Sequence, residues 1–316
     1  MIKGPEYADF RMIDGILGMY QKFLLGSRAL PTRLLPDYNR PVKEVMSDVA
    51  KLIIEESGQL SMLMYVSHRS SHEVDGIEMP SWVPKYHRKQ DIMVDHLPFN
   101  FSGFAASGES VWRMESCGDT PLYQLKACGF RLGSVVEVTE VFDLETILDH
   151  DKLYALLSAA REMNDRRGAK TTGLERTLVA GHNHQRTAIG ARRSIDGFAA
   201  MWAHLQTTTT VPSLHALQDD PALCLGGAYH EALTRWTRNR RLFRTDTGHL
   251  GLGPRMVRHG DIMAILYGCS VPVALRPRTQ SEYALVGDVY SDGIMSGEAV
   301  QEHNATSGMD EMYLIS

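Results

Sequence analysis

From residue 241 to about residue 295, apolar residues fall into short runs cut by Gly, Asp and Pro. The segments are RLFRTDTGHLGLG, DIMAILYGCSVPVALR and YALVGDVYSDGIM. Runs of this length between turn residues read as successive strands. The carboxy-terminal part is therefore expected to form either a small antiparallel barrel or a sheet packed on helices.

Upstream the spacing is helical. Val42, Val45, Met46, Val49, Leu52 and Ile53 follow the i, i+3, i+4, i+7 rule. Pro41 suits the first helical position, and Gly58 closes the helix. Met12, Ile16, Met19, Tyr20 and Phe23 give a second stripe, a helix over 8–25. A helix is expected over 152–164, and another after Ser194 with Phe198, Trp202 and Leu205 on one face. Asp220-Pro221 starts one that ends in arginines, which suit the negative helix end. LSMLMYVS (60–67) and FSGFAASG (101–108) read as strands, and 122–142 as a strand pair. Trp82 sits between two prolines in a stiff segment pressed onto the core. These readings make an α+β chain: amphipathic helices on a mostly antiparallel sheet or small barrel formed largely by the carboxy-terminal part. The expected organisation is one compact unit over 1–316, helix-rich at 1–58 and 150–240 and strand-rich at 60–142 and 241–300.

Composition excludes several classes. With 43% hydrophobic and 22% charged residues, 316 residues can bury a sizeable core, and disorder is not expected. A net charge of −5 argues against nucleic acid as a partner. No apolar run reaches the length of a membrane span. MIKGPEYADFRMIDGILGMY places acids among its apolar residues, unlike a secretory signal, so a cytoplasmic protein is expected. The four cysteines form no CxxC pair and read as reduced buried thiols. Residues 161–193 hold eight Lys/Arg and three Asp/Glu, and read as an exposed, mobile loop with some strand. Residues 281–316 hold seven acids and no Lys or Arg, and offer that loop an acidic partner within the same chain.

FRTDTGHLGLGP (243–254), GDIMAILYGCSVPVALRP (260–277) and YALVGDVYSDGIMSGEAV (283–300) resemble the end of fungal heterokaryon-incompatibility (HET) domain proteins. LPDYNRPVKEVMSDVAKLII (35–54) and PSWVP (80–84) look like the same family, and the resemblance covers most of residues 10–316. Tyr290-Ser291-Asp292-Gly293 departs from the family's usual Tyr-Val-His-Gly. The aromatic and Trp-Gly-rich motifs of the family's amino-terminal half are absent, and MIDGILGM (12–19) looks like a worn copy of that half's last segment. The resemblance thus implies a carboxy-terminal region standing alone, without the half to which incompatibility signalling is ascribed.

Motifs for chemistry are sparse. His182 and His184 in GHNHQR would face one side of a strand, but no third metal ligand stands at suitable spacing. Either suits a base or a hydrogen-bond donor in a pocket. GAKTTG (168–173) misses the phosphate-loop spacing, and LGLGP (250–254) opens a strand rather than a helix. No GxSxG, HExxH or kinase set is present. No cofactor and no metal are expected.

A chain poor in motifs and rich in Met and aromatic residues suits a cofactor-free cyclase of fungal secondary metabolism. Such a pericyclase, of the intramolecular Diels–Alder type, folds an apolar terpenoid or polyketide in a closed pocket and activates a carbonyl by hydrogen bonding. The expected catalytic residues are His184, Trp236, Tyr290 and Asp292. Trp82, Trp202, Tyr267 and Met295 are expected to line the substrate pocket. The competing expectation is a truncated incompatibility protein that recognises another protein without catalysis, its partner being a second copy or a family member. A cavity of several hundred Å³ favours the first; an exposed apolar patch favours the second.

Overall fold

Pro41 and Gly58 bracket the first helix, α1 (Val42–Ser57). Pro41 stands one residue before the helix, where its carbonyl accepts the N–H of Glu44 at 2.9 Å. Gly58 closes the helix in the left-handed conformation and donates its N–H to Ile54. In the computed structural model the described residues are 40–76, 78–85, 103–112, 123–166, 173–213, 221–279 and 281–316. The expected helix over 8–25, residues 168–172 of GAKTTG, and Cys117 lie outside them.

Among the described residues between 60 and 124 there is no strand, contrary to expectation. Ser61–Tyr65 is a single 3₁₀ turn followed by the short α2 (Ser71–Val74). A short apolar run fits a buried helical turn as well as a buried strand, and periodicity does not separate the two. Here Leu60 donates its N–H to Gly268 at 2.8 Å, and Met62, Leu63 and Met64 are all buried. In FSGFAASG, the described residues 103–108 form irregular chain and a turn.

The middle is helical, as the spacing predicts. α3 (Leu144–Leu148) and α4 (His150–Asp165) are capped by Asp143 and Asp149, whose side chains accept the N–H groups of Thr146 and Lys152. Then come α5 (Leu174–Thr177), α6 (Ala191–Thr207) and α7 (Pro221–Thr237). Ser194 does not cap α6; it lies inside the first turn and donates its hydroxyl to Gly190.

The strand pair expected over 122–142 is one 14-residue strand, β1 (Leu125–Val138). Two register shifts bend it, at Arg131–Gly133 and Val135–Glu137. Its far half pairs with β2 (Arg240–Thr245), which pairs with β3 (Leu250–Pro254). Its near half pairs with β4 (Ile262–Leu266), and β5 (Val273–Pro277), β6 (Glu282–Asp288) and β7 (Glu311–Ile315) follow in order. Because β7 also pairs with β1, the ring β1-β4-β5-β6-β7 closes, which is the barrel alternative. β1 and β4 lie so close that a Cβ on Gly129 would stand 1.9 Å from the Ile265 carbonyl oxygen.

Both faces of the sheet are covered, so β4 is buried at every position. Met263 and Ile265 join Phe130 and Val286 in one apolar cluster. Ile262, Ala264 and Leu266 join the other, together with Leu153, Met201 and Leu233 from the helices. All pairings are antiparallel except β6 with β7. A parallel neighbour requires a crossover of a dozen residues or more, commonly containing a helix. Residues 289–310 supply it and contain α8 (Glu298–Ala305).

Candidate functional site

That crossover carries the acidic side of a cleft. Tyr290 is fixed at its start by exchanging backbone hydrogen bonds with Leu252 at 2.8 and 3.0 Å. Its hydroxyl donates to Asp292 Oδ1 at 3.3 Å. The same oxygen accepts a 2.9 Å bond from the Arg176 guanidinium at the end of α5, and Arg176 Nε donates to the Ile189 carbonyl. Phe104 is placed from the other side, where Ala105 donates its N–H to Met295 at 2.8 Å.

The chain between α5 and α6 turns back on itself through two consecutive left-handed residues, Ala180 (φ 47°) and Gly181 (φ 69°). Gly181 presses against the barrel: a Cβ there would stand 2.7 Å from the Tyr290 hydroxyl. The turn delivers His182, whose ring meets Phe104 edge-on at 5.6 Å and Trp236 at 6.0 Å. The exposed, mobile loop expected over 161–193 is therefore corrected for residues 174–182, while residues 185–188 and Gly190 are exposed as expected. Leu174, Leu178, Val179, Ala180 and His182 are buried, because this turn covers the barrel crossover. The expected contact between the basic stretch and the acidic carboxy-terminal segment is present, as Arg176 with Asp292.

Phe104, Arg176, His182, Tyr290, Asp292 and Glu298 line a cleft of about 140 Å³. Met295 also borders it. Pockets for drug-sized ligands begin at roughly 300 Å³, so this volume suits one small group.

Protonation follows from the contacts. His182 Nδ1 lies 2.7 Å from the Ala180 carbonyl, so Nδ1 carries the proton. Nε2 is then a lone-pair acceptor; it is buried and has no hydrogen-bond partner. Burial lowers the His182 pKa from the ordinary histidine value; the Ala180 carbonyl opposes this and the Arg176 charge adds to it. Burial raises the Asp292 pKa, and Arg176 works against that shift. Burial, and secondarily Asp292, raise the pKa of Tyr290, which stays a protonated donor.

The structure brings some of the expected residues together. Tyr290, Asp292 and Met295 border the cleft, and Trp236 backs His182. The Trp236 N–H is engaged by the Asn183 carbonyl at 3.1 Å, and the Tyr290 O–H by Asp292. His184 is half-buried, with an unpartnered Nδ1, and does not line the cleft. Trp82 is fully buried in the core and donates to the Tyr123 carbonyl. Trp202, on α6, stacks on Tyr154 of α4 at 4.9 Å under the Arg161 guanidinium. Tyr267 donates to Asp310 at 2.7 Å, ahead of β7. The described residues therefore give the pericyclase expectation no support: the cleft is small, and the two best donors are taken by protein acceptors. Arg176, His182, Phe104 and Glu298 were not among the expected site residues; only His182 carried a signal, in GHNHQR. Among the described residues no group of three His, Cys, Asp or Glu is placed to hold a metal ion.

Comparison with protein families matches residues 177–315 to the Het-6 beta-barrel domain. Among curated proteins, heterokaryon incompatibility protein 6, OR allele, of Neurospora crassa is 32% identical over 84 residues. That match covers 26% of this chain and only 12% of the length of the Neurospora protein. No solved structure matches.

Proposed function

We propose, from the premise that this chain carries the carboxy-terminal Het-6 barrel region of the heterokaryon-incompatibility family, that it acts by recognising another protein in incompatibility and not by catalysis. The observation that carries this reading is the overlap between the family match and the cleft. Residues 177–315 contain His182, Tyr290, Asp292 and Glu298, and the barrel crossover holds the last three. A cleft of about 140 Å³ accommodates one side chain of a partner more readily than a whole polycyclic substrate. The name of the Neurospora relative supports the biological setting, and its short overlap leaves partner and signalling to experiment. The proposed compartment is the cytoplasm; among the described residues no helix is long and apolar enough to cross a membrane.

The test uses fungal strains that differ only at this gene, carrying the native allele, a deletion or a divergent allele. Heterokaryon formation is scored by complementation of two nutritional markers. The reading expects stable heterokaryons between like strains and failure or death of fused cells between strains with divergent alleles. Equal heterokaryon frequency in every pairing overturns it.

A further inference from the structure

We infer that the cleft beside α5 and α8 receives the guanidinium end of an arginine side chain carried by the partner protein; this rests on the recognition reading above. Three observations carry it. First, the cleft presents acceptors. His182 Nε2 is a lone-pair acceptor with no protein partner, on a residue that is only 1% exposed and is among those that line the cleft. A buried acceptor without a donor is costly, so such an atom marks a place where a ligand donor fits. Second, the cleft charge is negative. Among the described residues that line it, the carboxylates of Asp292 and Glu298 stand against one guanidinium, that of Arg176, which Asp292 already holds at 2.9 Å. Glu298 is exposed at the rim, oriented by the Ser296 N–H at 2.7 Å. Third, the walls include aromatic faces. Phe104 and Tyr290 lie 5.6 Å apart at a tilt of 53°, and a planar cation stacks on such rings more favourably than a neutral group. A cleft of about 140 Å³ has room for a guanidinium and its adjoining carbons and not for a larger ligand. Arginine fits better than lysine because its planar fork donates several N–H groups in fixed directions, to the imidazole and to a carboxylate at once.

The experiment titrates the full chain with N-acetylarginine methylamide, following the ring signals of ¹⁵N-labelled histidines by NMR. The citrulline analogue, neutral and of nearly the same shape, and the lysine analogue are run in parallel at matched ionic strength. The expected result is a saturable shift of the His182 signals with the arginine probe, and binding of the citrulline probe at least about tenfold weaker. Glu298→Gln changes an exposed residue and is expected to fold; it should weaken arginine binding by about threefold or more. Equal binding of arginine and citrulline, or His182 shifts that follow only salt, overturns the inference. Tighter binding of the lysine probe overturns the assignment to arginine. The heterokaryon assay tests recognition and this titration tests the cleft, so each can fail without the other.

Discussion

Arg176 reaches Asp292 at 2.9 Å, joining α5 to the crossover after β6 across 116 positions of chain. The pair exists because β6 and β7 are parallel neighbours. Closing the barrel that way requires a long connection, and that connection presents Tyr290, Asp292 and Glu298 on the side covered by the 173–190 turn. Topology thus places the acidic wall, and the left-handed Ala180-Gly181 turn places the histidine opposite it.

Removing the cation should loosen this junction. Arg176→Met leaves Asp292 half-buried and without its charge partner. The Arg176 side chain is 36% exposed, so solvent screens the pair, and the expected loss is about 1 kcal/mol. Asp292→Asn should cost a similar amount, and the double variant should cost less than the sum of the two. Urea denaturation of the four proteins measures this; strict additivity would show that the pair is not coupled.

Gly181→Ala meets two obstacles. At φ 69° an alanine costs roughly 1 kcal/mol, and its Cβ would lie 2.7 Å from the Tyr290 hydroxyl. Tyr290→Phe removes the clashing oxygen but leaves the backbone cost. In the Tyr290→Phe background the alanine should therefore destabilise by about 1 kcal/mol, and in the native background by more. Thermal unfolding of the two pairs of variants separates the terms, and equal losses in both backgrounds would mean the contact is not tight.

How much of this was legible in sequence depended on the range of the cause. α1 was readable because its apolar spacing, Pro41 and Gly58 are all local signals. The strands from residue 241 onward were readable because Gly, Asp and Pro cut them into short runs. The bends that make β1 one strand rather than two were not, since they follow from its pairing with both β2 and β4. LSMLMYVS (60–67), which contains the 3₁₀ turn at Ser61–Tyr65, reads as a strand because so short an apolar run has no distinguishing period. Tyr290, Asp292 and Met295 stand in a segment that resembles a known family, YALVGDVYSDGIMSGEAV, and that is their signal in the sequence. Arg176 is one of eight basic residues in 161–193, and Phe104 has no local mark; both join the cleft through contacts remote in sequence. Trp82, fully buried, and Trp202, half-buried against the core, show the converse: large aromatic residues that serve packing.

His68 should make stability depend on acidity. Its ring is buried, with Nε2 donating to the Leu285 carbonyl at 3.0 Å. Burial, with the nearby Lys85 charge, pushes its pKa down to about 4, while the Leu285 carbonyl and Glu73 oppose the shift. The unfolded chain binds this proton near pH 6.5, so the contribution is complete above that value and is lost as pH falls toward 4. The expected slope is about 1.4 kcal/mol per pH unit in that window, roughly 3 kcal/mol in all. His68→Gln keeps a donor for Leu285 and removes the titration. The stability difference between the native chain and His68→Gln should change across the window, and parallel curves would refute the assignment.

The buried pair of Arg276 with Asp261 should be far more sensitive than a surface pair of similar geometry. Arg276 Nε and Nη2 bond the two Asp261 oxygens at 2.9 and 3.0 Å, and both side chains are at most 5% exposed. Arg276→Met leaves a buried carboxylate without its cation, which costs about 3–5 kcal/mol. Arg192 and Asp196 also stand at 3.0 Å, but on the surface of α6, where breaking the pair costs about 0.3–0.5 kcal/mol. Replacing both buried partners, as Arg276→Met with Asp261→Leu, should recover part of the loss, because no unpaired charge remains. Recovery should stop short of the native value, since the Arg258 N–H then loses the acceptor it holds at 2.9 Å. Urea midpoints for Arg276→Met, Arg192→Met and the double variant give this ordering; an Arg276→Met loss as small as that of Arg192→Met would mean that water reaches the buried pair.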